Sequence, residues 1–216
     1  NYRAYLREHR KLQLGKRTIL NLASILSLPR YVVEKALEIL DRTKLYDETK
    51  VLAISCLWIA TRIHQIPRTL EEFAKASGVD KKRIGRTTYK LINELGIKLP
   101  PYDISKLISK YSEIINASPK ELYMIRSIAL KVLEVLKENR LIQGCKPSII
   151  ACTCLRIAGE IVLGDRFRVE ELAKACGVTS AGVRRYYKNI IRDKTILKTL
   201  SSQIRKLVYS LQSQSP

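Results

Sequence analysis

Two short strings occur twice in this chain. CLWIA at 56–60 returns as CLRIA at 154–158, and EEFAKASGV at 71–79 returns as EELAKACGV at 170–178. Each pair lies about a hundred residues apart, far beyond the ~20–50-residue period of a solenoid. A repeat of that length predicts a tandem duplication of one domain, so the two halves should share a fold. With 216 residues, 46% of them hydrophobic, the chain can supply two cores.

The apolar spacing is helical throughout, and no convincing strand pattern interrupts it. In the first half it predicts helices over Thr18–Leu28, Tyr31–Leu40, Val51–His64, Leu70–Ala76 and Lys81–Leu95, with Pro29 and Pro67 between segments. In the second half it predicts Ile104–Ile115, Lys120–Asn139, Ser148–Val162, Val169–Cys176 and Ser180–Arg192, then a further helix over Ile196–Leu211. Ser118, Pro119 and Glu121 form a helix start: hydroxyl cap, proline in the first turn, glutamate reaching back. The expected fold class is all-α, two tandem five-helix domains that each end in a helix-turn-helix. The expected divisions are a basic segment 1–17, a first repeat 18–98, a linker 99–103 around Pro100 and Pro101, a second repeat 104–194, and a C-terminal helix and tail 195–216.

The helix-turn-helix rests on a spacing found in both copies. Alanine (Ala74, Ala173) lets two helices approach, glycine four residues later (Gly78, Gly177) takes the turn, and a β-branched residue six further on (Ile84, Val183) anchors the second helix. The outer face of that helix is then free to enter a major groove. In the first copy it offers Lys81, Lys82, Arg83, Arg86 and Lys90 behind a cap at Asp80. In the second it offers Thr179, Ser180, Ala181, Gly182, Arg184, Arg185 and Lys188, with no acidic residue between Val178 and Arg192. Small residues at its start permit approach to base edges, and arginine pairs with guanine or phosphate. Thr179 to Arg185 is therefore the expected reading surface, with Lys188 and Arg192 clamping the backbone. Such units also serve as plain scaffolding. Tyr186 or Tyr187 should anchor in the core, since a helix cannot turn both outward. Gly182 costs about 1 kcal/mol of helix stability relative to alanine, which suggests that space is needed there.

Charge points to an anionic partner. Forty Lys and Arg against 20 Asp and Glu give +20 and a pI near 9.9, favouring nucleic acid first and a membrane surface second. No apolar run is read as reaching the ~18–20 residues of a membrane span, and no signal-peptide pattern opens the chain. Lacking an initiating methionine, the chain reads as a fragment or a processed form. The five cysteines form no CxxC pair and only His9 and His64 could join them, so no metal and no cofactor are expected. Reduced, buried thiols of an intracellular protein account for them. No phosphate-cradling glycine loop or nucleophile–base pair appears, His64 reads as structural, and the pairs Glu71-Glu72 and Glu170-Glu171 suit helix starts. An enzyme is not expected.

Beyond these readings, the sequence resembles the core of archaeal transcription factor B and of general transcription factor IIB. The likeness is carried by LPRYVVEKA (28–36), IPRTLEEFAKASGVDKKRIGR (66–86), LPPYDISK (99–106), KPSIIACTCLRIAG (146–159) and VEELAKACGVTSAGVRRYYK (169–188). The resemblance implies two cyclin-like domains that clamp the TATA-box-binding protein on double-stranded promoter DNA and recruit RNA polymerase. It implies a monomer, no membrane, and a cytoplasmic, nucleoid-associated place in an archaeal cell. Ala181, Gly182, Val183 and Arg184 match the segment that reads the B recognition element, and Gly85 and Arg86 match first-repeat residues that approach DNA beyond the TATA box. Three departures stand out. The family's zinc ribbon is not in this sequence, Ala181 replaces a commonly bulkier residue, and IGRTTYK carries one extra residue before its tyrosine. Two rival readings remain: a cyclin-type protein-binding module, and a nonspecific nucleic-acid binder using the basic residues of Asn1–Arg17.

Overall fold

The structure, a computed structural model, describes residues 2–43 and 48–213. Asn1 of the basic segment, residues 44–47 of the first repeat and residues 214–216 of the tail lie outside the described residues. The chain forms two compact units, Asn1–Tyr102 and Asp103–Pro216. Among the described residues every regular element is helical.

The first unit holds α1 (Tyr2–Ile25), α2 (Arg30–Asp41), α3 (Thr49–Ile63), α4 (Leu70–Ser77) and α5 (Lys81–Leu95). The CLWIA string lies on α3, which is buried on every side from Val51 to Arg62 and packs against α1, α2, α4 and α5. A helix that is apolar all round belongs at the centre of a bundle. Phe73 of α4 and Ile84 and Leu91 of α5 close the core around it.

The first helix starts at Tyr2 and not at Thr18, so the basic segment is helical up to the core. Periodicity missed it because residues 2–10 are exposed except Leu6, which is half-buried. Its leucine, arginine, lysine and glutamine residues favour helix without needing an apolar face.

The second unit holds α6 (Ile104–Ser112), α7 (Pro119–Glu138), α8 (Pro147–Leu163), a 3-10 turn (Gly164–Arg166), α9 (Val169–Ala175), α10 (Ser180–Arg192) and α11 (Lys194–Ser213). CLRIA lies on α8, the central helix here, packed on α6, α7 and α10. α11 packs on α7 and α10 as a sixth α-helix. Contrary to the expectation that no run is long enough, the 20 residues Pro147–Arg166 have the length and apolarity to cross a membrane, with a mean hydropathy of 1.5 in their most apolar stretch. It is the core helix of this unit, and 56% of it is buried. Cys152 and Cys154 point to different sides and are both fully buried for that reason. Cys56 and Cys176 are buried too, whereas Cys145 is partly exposed, and all five are free thiols.

The segment 99–103 is divided between the units. Arg62, only 9% exposed, donates from Nη2 to the Pro100 carbonyl at 2.6 Å, and its guanidinium lies 3.5 Å from the Tyr102 ring and 5.5 Å from the Trp58 ring. Burial raises the Tyr102 pKa. Asp103 instead caps α6, accepting from the Ser105 and Lys106 backbone N–H groups.

Candidate nucleic-acid interface

Both helix-turn-helix units form. In the first, Thr69 and Glu72 make a capping box at the start of α4, which ends at Gly78 with φ 68° and a Gly78 N–H to Ala74 carbonyl bond of 2.9 Å. That left-handed conformation is one that glycine takes without a Cβ penalty. Asp80 then caps α5 by accepting from the Arg83 backbone N–H. In the second, Gly177 turns at φ 67°, Val178 N–H bonds the Ala173 carbonyl at 3.0 Å, and the Thr179 hydroxyl caps α10 by accepting from Gly182 N–H at 3.1 Å. Ile84 and Val183 are both fully buried, so each anchors its second helix as the spacing requires.

On the outer face of α5, Lys81, Lys82 and Arg86 are exposed and Gly85 is half-exposed. Arg83 is engaged elsewhere: its guanidinium grips Glu48 at 2.6 and 3.0 Å, tying α5 to the start of α3. That grip lowers the Glu48 pKa and raises that of Arg83. A Cβ on Gly85 would meet nothing within 4 Å. No internal packing explains a helical glycine here.

On α10, Thr179, Ala181, Arg184, Arg185 and Lys188 are exposed, while Ser180 and Gly182 are half-buried. Gly182 does have an internal reason. A Cβ there would come within 3.0 Å of the Thr179 capping oxygen and 3.3 Å of Ile149 Cδ1. The space is already used by the cap and by α8. Both tyrosines turn inward in part: Tyr186 donates its hydroxyl to the Leu141 carbonyl at 3.0 Å, and the Tyr187 ring lies 4.1 Å from the Arg156 guanidinium. Tyr89, by contrast, is 69% exposed, with Thr88 buried beside it.

One pairing was not foreseen from the sequence. Glu170, in the first turn of α9, forms an ion pair with Arg184 of α10. Glu71, in the same place on α4, pairs with Lys81 of α5 at 2.7 Å. The signal was available, since both repeats keep EE before the turn and a cation after it. The sequence reading assigned these glutamates to the helix dipole alone. Arg185 and Lys188 have no carboxylate partner among the described residues.

Two all-helical units in tandem, each built on a buried central helix and each presenting a helix-turn-helix with cations on its second helix, define a protein of paired helical repeats. Residues 8–94 match the transcription factor TFIIB repeat. The chain is similar in sequence to archaeal transcription initiation factors IIB. It is 32% identical over 174 residues to that of Archaeoglobus fulgidus, covering 78% of this chain and 52% of the relative. It is 34% identical over 187 residues to that of Methanocaldococcus jannaschii, covering 83% of this chain and 27% of the relative. For the Ignicoccus hospitalis factor the identity is 30% over 206 residues, covering 91% and 63%. The chain thus spans about half or less of the first two relatives. A chain from the CAK complex of Chaetomium thermophilum superposes with TM-score 0.36 and 17% identity over 91% of this chain and 71% of that one, a likeness too loose to bear on function.

Proposed function

We propose that this chain is the promoter-binding core of a transcription initiation factor. It joins the TATA-box-binding protein on double-stranded promoter DNA, reads the B recognition element through α10, and helps recruit RNA polymerase. It acts as a monomer, without enzymatic activity, in the archaeal cytoplasm at the nucleoid. The observation that carries this is the pair of helix-turn-helix units, each with an exposed basic outer face, in a chain similar to factors IIB over 78–83% of its length in two cases. Arg184 and Arg185 take the base-reading role, with Thr179, Ser180 and Ala181 permitting close approach and Lys188 holding phosphate. Lys81, Lys82, Gly85 and Arg86 form the corresponding surface in the first unit. Gly85 is the more telling of the two glycines, because no neighbour within 4 Å accounts for its lacking a side chain.

The test is a gel-shift titration on TATA-box DNA with and without the TATA-box-binding protein. A supershift that requires both supports the proposal. Binding that ignores partner and sequence favours a nonspecific nucleic-acid binder. Failure to bind in any lane favours the cyclin-type protein module.

A further inference from the structure

The first turns of α1 carry three arginines that make no ion pair with any described residue of unit 1. Arg3, Arg7, Arg10 and Lys11 line one shallow groove with Leu6 and Leu14. The three arginines are exposed and make no ion pair with any described residue. Their spacings, i to i+4 and then i to i+3, put like charges on one helical face about one turn apart, where they repel. Several other solvated helix faces are interleaved instead: Arg30 with Glu34, Lys35 with Glu38, Lys131 with Glu134. Glu8, the single carboxylate of the stretch 1–17, pairs with none of the three. A helix face that docks on protein needs apolar anchors at this spacing. Here those places hold guanidinium groups, which fork onto phosphate oxygens.

We infer that the Arg3–Arg7–Arg10 face of α1 is a further DNA-binding site, taking the phosphodiester backbone of duplex DNA at a place on unit 1 distinct from that unit's helix-turn-helix. This rests on the reading that the chain binds promoter DNA. Arg68 Nη2 donates to the Leu26 carbonyl at 2.6 Å, fixing the far end of α1 beside α4. Arg7 stands roughly 28 Å from that end along the helix axis, so the face lengthens the footprint of unit 1. Phosphate contact without base contact adds affinity and salt dependence but no sequence preference.

The experiment compares the chain with R3Q/R7Q/R10Q on two duplexes, TATA-box DNA with the TATA-box-binding protein and a plain duplex alone. The variant is expected to lower the slope of log affinity against log salt by about 2–3 on both, at ~0.9 per phosphate contact. Its ratio of affinities for intact and scrambled upstream elements should stay the same, and its thermal midpoint should be unchanged or raised. Unchanged slopes on both duplexes overturn the inference, including the case where only binding to poly-glutamate is lost. If the chain fails to join the promoter complex yet binds plain duplex, the promoter reading falls while the slope on plain duplex still decides α1. Failure to bind either duplex overturns both.

Discussion

Glu170 and Arg184, 14 residues apart on the two helices of the second helix-turn-helix, hold each other across the turn. Both side chains are about half exposed, so the pair contributes at most about 1 kcal/mol to folding. In the proposed reading its consequence is for recognition, because the pair orients the guanidinium in advance of DNA. Arg184→Ala should cost about 1–3 kcal/mol on a preferred site and flatten the preference. Glu170→Gln should tighten binding to all sequences and narrow the difference between them, as a carboxylate leaves the interface. Fluorescence anisotropy on intact and scrambled upstream elements checks both. Equal losses on every sequence for Arg184→Ala would make it a phosphate contact.

The two helical glycines should respond differently to alanine. Gly85→Ala meets no neighbour and should stabilise the protein by about 1 kcal/mol through helix propensity, while weakening DNA binding. Gly182→Ala needs the Thr179 hydroxyl and Ile149 to give way by a few tenths of an ångström, so the gain of about 1 kcal/mol in propensity is offset by strain on the Thr179 cap. Urea titrations beside binding curves separate the two. A Gly85→Ala protein that is stabilised and binds DNA normally would remove Gly85 from the interface.

Acid should weaken the second unit over a definite interval. The Arg166 side chain, and then the Ser118 backbone and hydroxyl groups, hold the Glu121 carboxyl at about 2, down from 4.5. A carboxylate depressed on folding contributes stability above its unfolded pKa and loses it as pH falls through the folded one. The loss therefore belongs between about 4.5 and about 2. Glu121→Gln should be less stable at neutral pH and show a shallower decline in that interval when melting is followed against pH. An identical pH profile in the two proteins would exclude the linkage.

Arg62 is a buried cation held by two rings and a carbonyl instead of a carboxylate. Arg62→Ala should destabilise the first unit by about 2–4 kcal/mol, combining a lost cation–π contact of ~2 kcal/mol with a lost charge-assisted bond. Arg62→Lys should not restore it, because a planar group is needed between the rings. Trp58, the single tryptophan, reports the change in a fluorescence-monitored urea titration. Full rescue by lysine would argue for charge alone.

Much of the fold is legible in the sequence because it depends on local signals repeated twice. The helices from Arg30 to Arg192 fall close to their predicted spans, Ser118 and Asp80 cap where expected, and Gly78 and Gly177 make the turns. The candidate site was partly legible. The outward cations of α5 and α10 follow from Ile84 and Val183 facing in, but which of them are free does not. Arg83 is taken by Glu48, 35 residues earlier, and Arg184 is held by Glu170. Both depend on tertiary placement that a helical wheel cannot supply. Gly182 differs from Gly85 through its own helix cap, Thr179, and through Ile149, which belongs to another helix. The start of α1 escaped for the converse reason: a helix with no core to face leaves no apolar period to read.

The measurement that bears most directly on promoter recognition is the affinity of the chain for the complex of the TATA-box-binding protein with TATA-box DNA, taken on intact and on scrambled sequence upstream of the TATA box. A preference for the intact element, lost in Arg184→Ala, is the expected result. Equal affinity for the two sequences in the wild-type chain would contradict base reading by α10.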